Sequence, residues 1–274
     1  MPTRFSLFRI SVLAKAHRDL FAVPESKEDY IRRVMGNSYQ FKHYGTDFHY
    51  IPISTKSDYS IGRLGRGAVL EYNSSPSEGF EKAVMPAWRA STIVVDPSDH
   101  DDGHKLAMEY IQLLGKSKSI LSTMFSHINE IHGIYYTIEI NPIVNSGRFY
   151  DFVKSVGSPV SFLSISFTPP NGLWSADSSA KEEVQEISRK TKATKIRTIL
   201  SNKDGLDVSS GGLKESIDYA ESGSGSIRAK TISGNVFTSD MSQKISIVEV
   251  NENATSEDVE SFAALNPQAA LGQK

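Results

Sequence analysis

Apolar and polar residues alternate through Phe8, Ile10 and Val12, the period of a strand with one buried face. A helix is expected next. Ser26 stands before Glu28 and Asp29 as an N-cap stands before an acidic first turn, and Ile31, Val34 and Met35 return at helical spacing. From Asp47 to Asn73 the period falls back to two. Pro52, inside Ile51–Ile53, predicts an edge position there, because proline has no N–H to give to a ladder. Ser91–Val95 reads as another strand, stopped by Asp96-Pro97. The middle is expected to be helical: Leu106, Tyr110, Leu113 and Leu114 keep a 3.6-residue period, as do Ile120, Met124, Ile128 and Ile131, and Gly133 ends the block.

The second half alternates between the two periods. Ile134, Tyr136, Ile138 and Ile140 share a strand face, Phe149, Phe152, Val153 and Val156 a helix stripe, and Leu163, Ile165 and Phe167 a strand face closed by Pro169-Pro170. Ser179 and Glu182 have capping-box spacing. A strand at 195–200, a helix at 213–220 and strands at 227–232 and 245–250 follow. The pattern predicts an α+β fold of layered sheets and helices, with a ferredoxin-like βαβ piece over 134–168. It divides the chain into a β-rich half, 1–98, an α+β half, 99–250, and a partly mobile tail, 251–274.

Composition narrows the function classes. The 274 residues are 39% hydrophobic and 23% charged, enough apolar mass for a core and unlike a disordered chain. Thirty Lys and Arg against 32 Asp and Glu exclude coating of nucleic acid by bulk charge but leave room for a local basic patch. With no cysteine, disulfides, thiolate metal sites and thiol catalysis are excluded. No apolar run approaches the ~18–20 residues of a membrane span, and Arg9 breaks the N-terminal apolar stretch that a signal peptide needs. A cytoplasmic protein without membrane insertion is the expectation.

Candidate chemistry is sparse. Asp99-His100-Asp101-Asp102-Gly103-His104 offers ligands for a divalent metal, yet capping of the expected helix at Leu106 accounts for its aspartates without one. His127 and His132 are five apart, about 140° around a helix, so one ion is not held between them. Gly62, Gly65 and Gly67 fit neither a phosphate loop nor a dinucleotide fingerprint and read as strand and turn, with Arg63 and Arg66 placed to meet phosphates or solvent. No serine stands in a nucleophile elbow, and Ser117-Lys118-Ser119 reads as a helix start. No catalytic residue, resident metal or cofactor is assigned.

The strongest charge feature is Arg189-Lys190-Thr191-Lys192-Ala193-Thr194-Lys195-Ile196-Arg197. A helix C-terminus explains Arg189, Lys190 and Lys192 by the macrodipole, but not Lys195 and Arg197, which share one strand face. Arg228 and Lys230 share another. If the strands lie together, these cations line one phosphate-tracking surface.

Tyr136–Ile143, a helix, then Leu163–Asn171 resembles the strand–helix–strand–Pro-Asn signature of a bacterial family known as domain of unknown function 4747. Phe8–Val12, Gly62–Gly67, Val94–Pro97 with His100, and Ser226–Gly234 followed by Ser242–Val250 resemble further pieces of it in the same order, so the resemblance spans about residues 5–250. Ile227–Val250 is more loosely similar to the phage-exclusion protein RexA. The resemblance implies an α+β fold of ferredoxin-like pieces, self-association, and DNA binding in preference to RNA. It implies a non-catalytic component of a bacterial antiviral system, acting on nucleic acid or beside a partner effector. Two other readings stay open: a metal-dependent nuclease or hydrolase using the Asp99–His104 cluster, and an oligomeric scaffold without a ligand.

Overall fold

The computed structural model describes residues 3–15, 25–54, 58–98, 100, 104–168, 186–188, 190, 191, 193, 195–239, 243–248 and 267–272. Two antiparallel sheets packed against helices make the protein α+β. In chain order the strands are β1 (Thr3–Ala14), β2 (Tyr39–His43), β3 (Thr46–Ser54), β4 (Ser60–Asn73), β5 (Lys82–Asp96), β6 (His104–Glu109), β7 (Tyr136–Pro142), β8 (Val160–Phe167), β9 (Ile196–Ser201), β10 (Gly225–Thr231), β11 (Val236–Thr238) and β12 (Ile245–Val248). Helices with defined bounds are α1 (Lys27–Met35), α2 (Ser117–His132), α3 (Arg148–Val156), α4 (Gly211–Tyr219) and α5 (Pro267–Ala270), and the described residues among 186–191 are helical as well.

The large sheet runs β12-β1-β6-β5-β4-β3-β2, and β7 shares with β12 the remaining edge of β1. Within it, β7-β1-β6-β5 has the strand order of a ferredoxin-like β-α-β-β-α-β unit, with β2–β4 inserted after α1. Both α1 and α2 lie on the same face, where Phe8, Ile10 and Val12 of β1 meet Ile31 and Val34 of α1 and Ile120, Met124 and Ile128 of α2. Ser26 caps α1 by accepting the Asp29 N–H at 3.0 Å. Ser26→Ala is expected to cost about 1 kcal/mol, seen as a lower urea midpoint at unchanged slope.

The small sheet runs β11-β10-β8-β9. Its core, Leu163, Ile165 and Phe167 of β8 with Ile227 and Ala229 of β10, packs against Phe149 of α3 and Ile217 of α4. Here β9–α4–β10 is a second split βαβ unit, with β8 between its two parallel strands. The ferredoxin-like pieces therefore sit elsewhere than over 134–168. The strand–helix–strand order expected there is present, but β7 pairs with β1 and β8 with β9 and β10, so the two strands enter different sheets.

The boundary expected at 98/99 falls between β5 and β6, which are hydrogen-bonded neighbours in one sheet. By sheet membership the chain divides after β7, and β12 and α5 return to the large sheet. Residues 104–109, expected to be helical, are strand β6. The large sheet is covered on both faces there, so Leu106 and Met108 enter the helix-side core while Ala107 enters the other one. A strand buried on both sides loses its alternation, and Tyr110, Leu113 and Leu114 of the following turn completed a false helical period. The tail beyond 250 is described only at 267–272, where Ala270 and Leu271 pack beside Phe5, Leu7 and Val94. The expected capping box at Ser179 and Glu182 lies outside the described residues.

Pro52 lies on β3 beyond Tyr39↔Tyr50, the last pair with β2, so its missing N–H faces no ladder partner on that side. Among the described residues no helix is long and apolar enough to cross a membrane.

Candidate nucleic-acid interface and cationic cleft

Alternation on β8 sends Leu163, Ile165 and Phe167 into the core and turns Phe162, Ser164 and Ser166 to the opposite face. The register extends that face over the sheet. Arg197 stands opposite Ser166 and Ser226, Ile199 opposite Ser164 and Arg228, and Ser201 opposite Phe162 and Lys230. Val236 and Thr238 of β11 continue these rows beside Lys230 and Arg228. The side chains of Arg197, Arg228 and Lys230 are exposed, and exposed Lys195 precedes β9 in the same alternation. No carboxylate stands on this face among the described residues. With strands ~4.8 Å apart, the Arg197 and Arg228 backbones are roughly 10–12 Å from one another across β8. Arg197 Nε donates to Ser166 Oγ at 3.2 Å, which leaves the outer guanidinium nitrogens for a ligand.

The other basic residues singled out in the sequence do not join this face. Lys190 forms an ion pair with Glu186 at 2.5 Å, one helical turn earlier. Arg189 and Lys192 lie outside the described residues. Arg63 and Arg66 are on β4 of the large sheet and, being three apart, on opposite faces of it. Arg66 shares the helix side with Leu64 and Phe48, and its Nη2 donates to the Leu113 carbonyl at 2.6 Å.

Arg66 marks a second site that sequence reading missed. A cleft of about 1130 Å³ opens at the start of α2, lined by Arg66, Lys116, Lys118, Ser119, Thr123 and the rim residues Tyr110 and Leu113. A smaller hollow beside it adds His43. Among the described residues no carboxylate lines either. The N-cap position of α2 is Lys116, whose side chain makes no capping hydrogen bond. Burial lowers the His43 pKa, and its Nδ1 lies 2.8 Å from Thr123 Oγ1; Arg66 and the lysines bring positive charge to the site. The available sequence signal was the Lys116-Ser117-Lys118-Ser119 run, which reads equally well as a plain helix start.

The histidines of the 99–104 cluster do not converge. His100 Nε2 lies 2.6 Å from Asp96 Oδ2, while His104 is buried in β6 with Nδ1 2.9 Å from the Ser98 carbonyl oxygen. Asp99, Asp101 and Asp102 lie outside the described residues, and among those described no three His, Asp or Glu side chains group as metal ligands.

The two sheets meet through polar contacts. Arg9 of β1 is 4% exposed and donates from Nη1 to Ser224 Oγ at 2.6 Å. Asn141 Nδ2 donates to Thr168 Oγ1 at 2.9 Å. Glu221, 1% exposed, accepts the N–H groups of Gly147 (2.7 Å) and Phe149 (2.8 Å) and so caps α3 from the far end of α4. Burial, the largest cause, raises its carboxyl pKa, the two backbone donors lower it, Asp218 and Asp151 raise it, and the net shift is upward.

No family model, curated protein or solved structure matches this chain.

Proposed function

We propose that the protein binds nucleic acid, duplex DNA first, by tracking phosphates across the open face of the small sheet. The observation that carries this reading is the exposed set Lys195, Arg197, Arg228 and Lys230 on a serine-bearing face with no opposing carboxylate among the described residues. The serine hydroxyls are short donors suited to phosphate oxygens. Phe162 is the face's one aromatic among the described residues and is half-buried, so base stacking contributes little and binding is weakly selective for sequence. The resemblance noted above supports a place for this binding in an antiviral or phage-exclusion system, in a non-catalytic role beside an effector.

Four phosphate contacts give a log–log salt slope of about −3 to −4 on duplex and about −3 on single strands. Anisotropy of labelled duplex and single-stranded oligonucleotides over a salt series reads this directly. Arg197→Glu with Arg228→Glu is expected to weaken duplex binding at least ten-fold on every sequence and to flatten the slope by about 2. Circular dichroism should be unchanged, since exposed strand substitutions cost within about 0.5 kcal/mol. Absence of wild-type binding at low salt, or equal binding by the double variant, would remove the nucleic-acid reading and put a partner protein in its place.

A further inference from the structure

Tyr44 (φ 47°) and Gly45 (φ 80°) join β2 to β3 as a two-residue turn between the paired residues His43 and Thr46. Positive φ at both central residues marks a type I′ turn, which suits the twist of a hairpin and favours Asn-Gly. A tyrosine is costly at the first position, because its Cβ crowds the following carbonyl. Core packing does not explain it: Tyr44 is 90% exposed, and its ring lies against that of His43 with centroids 4.4 Å apart. A second bulky residue, Leu113, stands exposed at φ 67° in the turn before α2. Backbone strain of this kind collects at ligand sites.

Both residues border the smaller hollow. It holds about 410 Å³ and brings Tyr44 and His43 together with Thr46, Arg66, Lys116 and Ser119. The register explains the meeting. His43, Thr46 and Phe48 share the helix-side face by alternation, and Phe48 stands opposite Arg66, so the hairpin end and the guanidinium lie along one side of the sheet. His43 is held by Thr123 of α2, with Nδ1 2.8 Å from Oγ1. Arg66 is held by the Leu113 carbonyl, to which Nη2 donates at 2.6 Å, while its Nε is buried with no hydrogen-bond partner among the described residues. Lys116 is exposed and spends no side-chain bond on capping α2.

We propose that this hollow binds a nucleoside 5′-monophosphate, its base against the Tyr44–His43 pair and its phosphate on Arg66, Lys116 and the Ser119 hydroxyl. Each half of the ligand answers one half of the lining. An exposed aromatic pair offers a stacking surface that any base can use. A guanidinium and an ammonium with a nearby hydroxyl offer charge-assisted hydrogen bonds to phosphate oxygens, and the Thr46 hydroxyl is left for the sugar. A simple anion would not need the strained tyrosine, and an uncharged aromatic would not need the two cations. The volume falls at the lower end of the ~300–1,000 Å³ of small-molecule sites, which suits a single nucleotide and excludes a duplex. The site shares no residue with the open face of the small sheet and does not rest on the duplex-binding reading.

Isothermal titration calorimetry of the full chain with AMP and GMP tests this. Submillimolar binding is expected, with adenosine and inorganic phosphate each about ten-fold weaker or more, since each lacks half of the contacts. Arg66→Gln should weaken AMP binding about ten-fold, and Lys116→Gln, at an exposed position that cannot disturb folding, about three-fold or more. Tyr44→Asn is the decisive variant. Asparagine suits the turn better than tyrosine, so the thermal midpoint should hold or rise while AMP binding falls about five-fold or more. Arg197→Glu with Arg228→Glu should leave AMP binding unchanged, which separates this site from the small-sheet face. No binding of either nucleotide at millimolar concentration, or a Tyr44→Asn variant that binds like wild type, overturns the proposal. Inorganic phosphate binding as tightly as AMP would reduce the site to an anion hollow, and phenyl phosphate doing so would make a phosphoaryl group its ligand. A 5′-phosphorylated dinucleotide binding more tightly than AMP would make the occupant a strand end in place of a free nucleotide.

Discussion

Glu221→Ala is expected to lower stability by about 3 kcal/mol, a large share of the ~5–15 kcal/mol that holds a folded protein. The reason lies at the start of α3. Gly147, at φ 83°, occupies the N-cap position and brings no side chain, so the first N–H groups of the helix have no local acceptor. Glu221 supplies it from a turn 72 residues further on, where the Phe149 N–H is buried. Alanine strands that donor and exposes the Gly147 N–H to at best partial hydration, each at ~1–3 kcal/mol. Glu221→Gln keeps one acceptor oxygen and should lose about half as much on the same basis. Urea unfolding at constant slope gives both values.

The pH dependence carries a definite sign. An acid whose pKa is raised on folding binds more protons in the native state than in the unfolded state between the two values. Its contribution is fully present below the ordinary carboxyl value and is lost as pH rises toward the raised native one. The stability advantage of wild type over Glu221→Gln should therefore shrink between pH 4 and pH 7, with the common behaviour of other groups cancelling in the difference. An advantage that grows over that range would show that the two backbone donors, not burial with Asp218 and Asp151, dominate the carboxylate.

Local periodicity carried much of this fold. The Phe8–Ile10–Val12 face, the Ser26 cap and the Gly133 stop are each set by residues within a few positions of one another, and each is where the sequence pattern put it. What the pattern could not carry was pairing between distant segments. Nothing near residue 138 shows that its strand partner is residue 12, so β7 was joined to β8, its neighbour in sequence, and not to β1. Strand β6 was lost to a false helical period because both sheet faces are covered there. The same division applies to the sites. Alternation gave Lys195 with Arg197, and Arg228 with Lys230, but only the insertion of β8 between β9 and β10 makes them one surface. The cleft depends on bringing Arg66 to Lys116 and Lys118 across some fifty residues, and the role of Glu221 on a helix begun 73 residues earlier; neither has a local signature.

Gly62→Ala is expected to cost about 3 kcal/mol or more, for a reason unrelated to turns or phosphate loops. Gly62 lies in regular strand opposite Pro52 and Ile93, so no unusual backbone angle requires glycine. What requires it is the Tyr50 ring: a Cβ at Gly62 would stand 2.5 Å from Cε2 and 2.6 Å from Cζ. That ring is fully buried, and its hydroxyl donates to the Met35 carbonyl at 2.9 Å, tying β3 to the end of α1. A methyl group must either push β4 away from β3 or turn the ring out of its hydrogen bond, leaving a buried carbonyl without that donor. Gly67 supplies the control, since a Cβ there meets nothing within 4 Å and Gly67→Ala should fall within about 0.5 kcal/mol of wild type. The decisive measurement is a double-mutant cycle by urea unfolding. In a Tyr50→Leu background the ring is gone, and Gly62→Ala should lose most of its cost, a coupling on the order of 2 kcal/mol. Equal cost in both backgrounds would mean that strand propensity, not the close approach of Tyr50, holds glycine at this position.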